Sequence, residues 1–91
     1  MRQFRSGDLV KHFKRELVGA GAEPTAYLYE IVGEATHSES REPLMIYKAL
    51  YGDGGLYARP LAMFLEPVDR VKYPTVQQVY RFELVEVAHD N

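Results

Sequence analysis

The stretch YGDGGL, residues 51–56, sets the strongest local constraint on the fold. An Asp-Gly pair between two apolar runs favours a two-residue type I′ turn, because both central residues need a positive φ. Centring the turn on Asp53-Gly54 predicts a β-hairpin in which Lys48 lies directly opposite Arg59. Two cations in that position destabilise a sheet unless an anion lies nearby. The turn therefore predicts a hairpin and, beside it, either an internal carboxylate or a bound anion.

Further strand signals along the chain extend this hairpin into a sheet. Aromatic and β-branched residues form five strand-like runs, which are Asp8–Phe13, Tyr27–Ala35, Leu44–Tyr51, Leu56–Arg59 and Val79–Val87. Pro60 and the apolar residues after it predict one short helical turn within residues 60–66. Closing such a sheet protects its edges, so we expect a small, strongly bent antiparallel barrel. The apolar positions expected to contribute to its core are Leu50, Phe64, Val32, Ile31, Phe82 and Leu84.

Length and composition limit the domain count and the compartment. The 91 residues make one domain, for which we expect a core over residues 7–86 and tails at 1–6 and 87–91. The absence of cysteine excludes disulfides and thiol chemistry and fits a reducing, cytoplasmic location. No apolar stretch long enough to cross a bilayer is present, so we expect no membrane partner.

Charge limits the kinds of partner. The net charge is −2 and the pI is about 5.9, which argues against broad nucleic-acid binding because such binding depends on phosphate neutralisation. Residues 1–20 nevertheless carry five basic and two acidic side chains. Composition therefore argues against a nucleic-acid partner, although a local basic face could hold an anion.

Short motifs spread along the chain form a pattern. In sequence order they are Gly7, His12-Phe13-Lys14, Tyr29-Glu30-Ile31, His37–Ser40, Tyr47, Tyr51-Gly52, Tyr57, Arg59-Pro60, Met63-Phe64 and Arg81-Phe82. This pattern resembles the uncharacterised bacterial family called domain of unknown function 1653. The resemblance covers nearly the whole chain and implies an SH3-like barrel, but it implies no activity. The predicted fold is thus all-β: a small SH3-like antiparallel barrel of about five strands with one short helical turn before the last strand.

The connection ATHSESREPL, residues 35–44, is unusually polar for a link between two strands. His37 and Glu39 could form an acid–base pair or supply two metal ligands. The alternative is structural, with the hydroxyls of Ser38 and Ser40 and the Glu39 carboxylate capping backbone N–H groups. A metal site needs three or four ligands, so we expect no metal, and we expect no cofactor.

Arginine and tyrosine side chains supply the other candidate binding residues. Arg59 precedes a proline, which favours an extended backbone, and its planar guanidinium matches a carboxylate or a phosphate. The same interpretation applies to Arg81, and for both residues the alternative is an internal salt bridge, for Arg59 to Glu39 or Glu30. Tyrosine offers an apolar body with a polar tip, and the tyrosines assigned to the candidate surface are Tyr47, Tyr51 and Tyr57.

These features predict a small binding module that recognises a peptide or a small anionic ligand. The ligand would contact the 37–42 connection together with Arg59, and we therefore expect these two to lie within reach of each other. One alternative is a small enzyme that uses His37 and Glu39. Another is a weak nucleic-acid binder that uses tyrosine stacking and the basic N-terminal stretch. An enzymatic role is the less favoured interpretation, since no nucleophile motif is present.

Overall fold

A computed structural model describes residues 3–19 and 21–85 of the chain. Its five strands are β1 (Leu9–His12), β2 (Leu28–Thr36), β3 (Pro43–Ala49), β4 (Leu56–Pro60) and β5 (Phe82–Leu84). A 3-10 helix, Phe13–Leu17, follows β1, and a short helix α1, Leu61–Phe64, follows β4. All neighbouring strands pair antiparallel in the order β4-β3-β2-β1-β5. The predicted all-β class, the five strands and the helical turn within residues 60–66 are confirmed.

The sheet is strongly curved but is not closed into a barrel by hydrogen bonds. Its edges are β4 and β5, and no ladder joins them in the part of the chain that the structure describes. Their side chains nevertheless meet, because the guanidinium carbon of Arg59 on β4 lies 5.9 Å from the ring centre of Phe82 on β5. The curvature therefore brings together residues that are far apart in the order of strands.

Aromatic rings fill the concave face of the sheet. Phe64 of α1 stacks on Phe82 with ring centres 4.0 Å apart, and both are buried together with Ile31. These three core predictions are confirmed, whereas Leu50 is only partly buried.

Two of the predicted core residues lie at the surface. The prediction for Val32 is wrong because it follows the inward-facing Ile31 at a β-bulge, and it is 47% exposed. Leu84 is 52% exposed because it ends the short edge strand β5, away from the packed rings.

The β3–β4 hairpin has a different register from the predicted one. Lys48 lies opposite Leu56, and Arg59 lies opposite Met45. The loop occupies residues 50–55 and is held by a hydrogen bond from the Ala49 N–H to the Gly55 carbonyl (2.9 Å). This longer loop moves the register and puts Lys48 and Arg59 on opposite faces of the sheet, so the predicted pair of facing cations is wrong. On the outer face Lys48 lies opposite Glu30 of β2.

The segment of residues 66–81 forms a layer against the open end of the sheet. Its buried Val68 and Val76 pack on Phe13 of the 3-10 helix in a second apolar cluster. The predicted strand from Val79 begins only at Phe82, because the N–H groups of Val79 and Tyr80 donate to the Glu83 carboxylate instead of a ladder (3.0 and 2.9 Å). Residues 86 and 87 of that prediction lie outside the described residues.

Side chains, more than backbone pairing, hold this segment in place. The amide of the buried Gln78 donates to the carbonyls of Lys11 and Tyr80 (both 2.9 Å). The Glu16 carboxylate accepts the N–H groups of Gln77 and Gln78 (2.7 and 2.8 Å). The 66–81 segment is thereby fixed against β1 and the 3-10 helix.

Candidate functional site

The connection between β2 and β3 is an exposed, self-contained turn. The Nδ1 atom of His37 accepts the N–H groups of Glu39 (3.1 Å) and Ser40 (3.2 Å), and the Ser40 hydroxyl accepts the Glu42 N–H (3.3 Å). Neither the Ser38 hydroxyl nor the Glu39 carboxylate makes a hydrogen bond to any other described residue. The predicted capping by Ser40 is therefore observed, whereas the imidazole of His37 makes the other capping bonds in place of Ser38 and Glu39.

A cavity of about 260 Å³ lies at the open end of the sheet, between β1, β4 and the 66–81 segment. Four of the side chains that line it are cationic and one is a carboxylate. The lining residues are His12, Phe13, Lys14, Arg59, Asp69, Lys72, Tyr73 and Arg81. No residue of the 37–42 connection lines this cavity, so the structure does not bring Arg59 and that connection into one site.

Two arginines enter the cavity from the two edge strands. Arg59 is the next-to-last residue of β4 and lies on the concave face, with the Phe82 ring beneath its guanidinium. Arg81 comes directly before β5. Its N–H donates to the Glu66 carbonyl (3.0 Å), and its guanidinium forms an ion pair with the Glu66 carboxylate (3.4 Å). The alternative of an internal salt bridge therefore applies to Arg81, with Glu66 as its partner.

The positive charge of the cavity is not neutralised within residues 3–19 and 21–85. Asp69 is the lining carboxylate, and its Oδ1 atom already accepts the N–H groups of Val71 and Lys72 (3.0 and 3.2 Å). Arg59, Lys14 and Lys72 form no ion pair with any described carboxylate. The cavity therefore offers several hydrogen-bond donors and an excess of positive charge to a ligand.

His12 forms the floor of this cavity as a neutral donor. Its Nδ1 atom accepts the Lys14 N–H (3.1 Å), so the neutral ring carries its hydrogen on Nε2. The ring packs against Phe13 (4.4 Å between centres) and Phe82 (4.9 Å). Burial lowers the pKa of His12 to about 4, and the charge of Arg59 contributes to this shift, followed by Lys14 and Arg81. His12 is thus uncharged at neutral pH and can donate through Nε2 only.

The tyrosines form a row on the same concave face. Tyr47 is buried, and the hydroxyls of Tyr29 and Tyr51 are hydrogen-bonded at 2.7 Å. Burial, together with that bond, raises the pKa of Tyr29 well above its ordinary value. Tyr57 is 49% exposed and stacks on Tyr47 with ring centres 5.7 Å apart. Of the predicted tyrosines, Tyr47 therefore belongs to the core, whereas Tyr57 remains available at the surface.

This arrangement suits an oxyanion better than it suits a metal. Guanidinium and ammonium groups bind carboxylate and phosphate oxygens through charge-assisted hydrogen bonds. Among the described residues there is no group of three or more histidines and carboxylates that could hold a metal ion. Lys48, on the outer face, takes no part in the cavity.

Comparison with known families identifies the chain. The family model described as "protein of unknown function (DUF1653)" matches residues 8–84. The chain belongs to this family. Comparison with curated proteins and with solved structures found no match. No helix in the described part of this DUF1653 chain has the length and apolar character needed to cross a membrane.

Sequence reasoning missed His12 as a site residue, although a signal for it was present. Three of the short motifs through which the sequence resembles the DUF1653 family meet at the cavity. They are His12-Phe13-Lys14, Arg59-Pro60 and Arg81-Phe82. Each motif places a basic or imidazole side chain beside an aromatic ring or a rigid proline. The convergence of these motifs on one cavity could have been used to favour His12 over His37.

Proposed function

We propose that this protein is a small cytoplasmic binding module that holds an anionic ligand in the cavity beside His12. The observation that carries the proposal is the unneutralised charge of Arg59, Lys14 and Lys72 around a neutral histidine donor. Like charges brought together repel one another. An oxyanion in the cavity would relieve that repulsion and accept hydrogen bonds from the same groups.

Arg59 is the principal residue of the proposed site. Its planar guanidinium can donate two parallel hydrogen bonds to one carboxylate or phosphate group. The Phe82 ring, itself stacked on Phe64, supports it from below, which restricts its freedom before a ligand arrives. A cavity of about 260 Å³ is small for an organic ligand. We therefore assign it to one charged group of the ligand, with the remainder of the molecule outside.

The enzyme alternative loses its geometric support. His37 lies on an exposed turn and uses Nδ1 to accept backbone N–H groups. Glu39 makes no hydrogen bond to His37 through its carboxylate within the described residues. The two side chains therefore do not form a hydrogen-bonded acid–base pair.

Titration with inorganic phosphate, followed by NMR, tests the proposal. We expect shifts in the signals of His12, Lys14, Arg59 and Arg81 with a dissociation constant near the millimolar range, which corresponds to about −4 kcal/mol. Arg59→Lys keeps the charge but loses the planar fork, so it should weaken binding roughly fivefold.

Lys48→Gln is the matched control, because it removes a cation from the opposite face of the sheet and should leave binding unchanged. Two results would overturn the proposal: no shift up to tens of millimolar phosphate, or an equal loss of binding in the Lys48 variant.

A further inference from the structure

We propose that the anionic ligand is a nucleotide, with its phosphate in the cavity and its base stacked on Tyr57. This inference rests on the function proposed above and specifies the ligand of the same site. The observation that supports it is that the exposed ring of Tyr57 and the cavity residue Arg59 lie on the same strand, β4.

Tyr57 and Arg59 share the concave face of β4. Tyr57 lies opposite Tyr47, and Arg59 lies opposite Met45, and both of these partners are buried on that face. Residues two apart along a strand are separated by roughly 6.5–7 Å. A ligand that reaches Arg59 with its charged group therefore has the Tyr57 ring within the length of one nucleotide.

The Tyr57 ring is stacked on a neighbouring ring and remains about half exposed. It stacks on Tyr47 at 30° between ring planes, and the edge-on ring of Tyr29 lies 6.4 Å away. Gly55 lies close to the hydroxyl end of the ring, since a Cβ atom built there would lie 3.4 Å from the Tyr57 hydroxyl. The residue is still 49% exposed. Exposed aromatic rings of this kind are platforms on which nucleic-acid bases stack.

The cavity favours a phosphate monoester over a carboxylate. A phosphate group offers three terminal oxygens and a charge close to −2 at neutral pH. The donors not engaged in an ion pair are Arg59, Lys14, Lys72 and the Nε2–H of His12, which come from four directions, more than the two oxygens of one carboxylate can meet. The net charge of −2 for the whole chain disfavours a long polyanion. A free mononucleotide therefore fits better than a strand.

Calorimetric titration with inorganic phosphate, ribose 5-phosphate and AMP tests the inference. We expect AMP to bind at least tenfold more tightly than ribose 5-phosphate, because base stacking on an aromatic side chain corresponds to roughly 5- to 150-fold in affinity. Tyr57→Leu should remove this difference and leave the affinity for ribose 5-phosphate unchanged. Tyr57→Phe should keep it, since the hydroxyl is not needed for stacking. Tyr80→Leu, which changes a tyrosine that neither lines the cavity nor lies on β4 beside Arg59, should also keep it.

The outcomes separate this inference from the proposed function. Equal affinities for AMP and ribose 5-phosphate would overturn the nucleotide assignment, while phosphate binding that depends on Arg59 would preserve the anion site. No binding of any of the three compounds would overturn both. If a 5′-phosphorylated oligonucleotide bound more than tenfold tighter than AMP, the ligand would be the end of a strand and not a free nucleotide. If Tyr57→Leu were unfolded by NMR, equal affinities of Tyr57→Phe and wild type for AMP would support the assignment, and a tenfold loss in Tyr57→Phe would overturn it.

Discussion

His12 and His37 make the same local hydrogen bond in very different surroundings. His12 ends β1 and His37 directly follows β2, and each accepts, through Nδ1, the N–H of the residue two positions later at 3.1 Å. His37 remains exposed on a turn that it shares only with its sequence neighbours. His12 is packed against aromatic rings and faces Arg59 and Arg81, which come from the opposite edges of the sheet.

The difference shows that a capping pattern identifies a turn but not a binding site. The local bond depends on residues that adjoin each histidine in the sequence. The charge and burial around His12 depend on how the sheet curves and brings β4 towards β5. Variants that alter the surroundings of one histidine and not of the other test this distinction.

The largest effect should follow from removing the aromatic support behind His12. Phe82 is buried, stacks on Phe64 at 4.0 Å and packs against the imidazole at 4.9 Å. We expect Phe82→Ala to lower the free energy of unfolding by about 3–5 kcal/mol, because it deletes a core ring and leaves a cavity. Denaturant unfolding measures this. Glu39→Ala in the His37 turn should change stability by less than about 0.5 kcal/mol, and similar losses for the two variants would contradict the comparison.

The next effect concerns pH. The pKa of His12 is lowered from 6.5 to about 4 in the folded protein, so between these values the unfolded chain binds a proton that the folded one does not. Stability should therefore fall as the pH is lowered from about 6.5 to 4 and should change no further above 6.5. The full shift corresponds to about 3 kcal/mol, which we reduce to roughly 1–2 kcal/mol for solvent screening.

Measuring the free energy of unfolding of wild type and His12→Asn across this pH window isolates the contribution of His12 titration to stability. Asparagine can accept the same turn hydrogen bond but does not titrate. The difference in free energy between the two proteins should narrow towards pH 4. A constant difference would show that His12 does not titrate as described.

A smaller effect is expected at the exposed histidine. His37→Ala removes the acceptor of the Glu39 and Ser40 N–H groups and should cost about 0.5–1 kcal/mol. His37→Asn should recover most of that loss, because its side-chain oxygen can cap the same turn. Thermal unfolding can compare the three proteins. If His37→Ala lowered stability as much as Phe82→Ala, the His37 turn would contribute to the stability of the whole fold and not only to its own conformation.

The smallest effect should be a gain in stability within the same turn. Arg41 adopts a φ of 66°, a left-handed conformation that costs an L-residue roughly 1 kcal/mol. Arg41→Gly should therefore raise the free energy of unfolding by about 0.5 kcal/mol, after the greater freedom of glycine in the unfolded chain is subtracted. Glu42→Gly, at a position without a positive φ, should instead be destabilising. Equal changes in the two variants would argue against strain at Arg41.

Strand and turn signals predicted much of the fold because they act locally. Pro60 marked the start of the helical turn, and the apolar runs placed Ile31 and Phe82 in the core. The same reasoning failed at Val32, because the residue after an inward-facing one in a strand points to the other face. The hairpin register failed because Ala49 bonds across the loop to Gly55 and not across a two-residue turn.

The site was harder to predict because its parts come from separate strands. Arg59 and Arg81 were both recognised as anion-binding candidates from their chemistry. The sequence could not show that curvature brings them to the same cavity, nor that His12 lies between them. The local sequence pattern instead favoured His37 as a site residue, although its polar neighbours form hydrogen bonds within the turn.

The attachment of the 66–81 segment bears on how the molecule opens. Carboxylate and amide side chains such as Glu16 and Gln78 hold this layer, so it can detach without breaking the central strand pairing. Such a segment is expected to behave as a separate unit of local unfolding, with faster amide hydrogen exchange than β2 and β3. Because Lys72 and Tyr73 belong to this layer and Arg59 belongs to the sheet, a bound anion would bridge the two and slow that exchange.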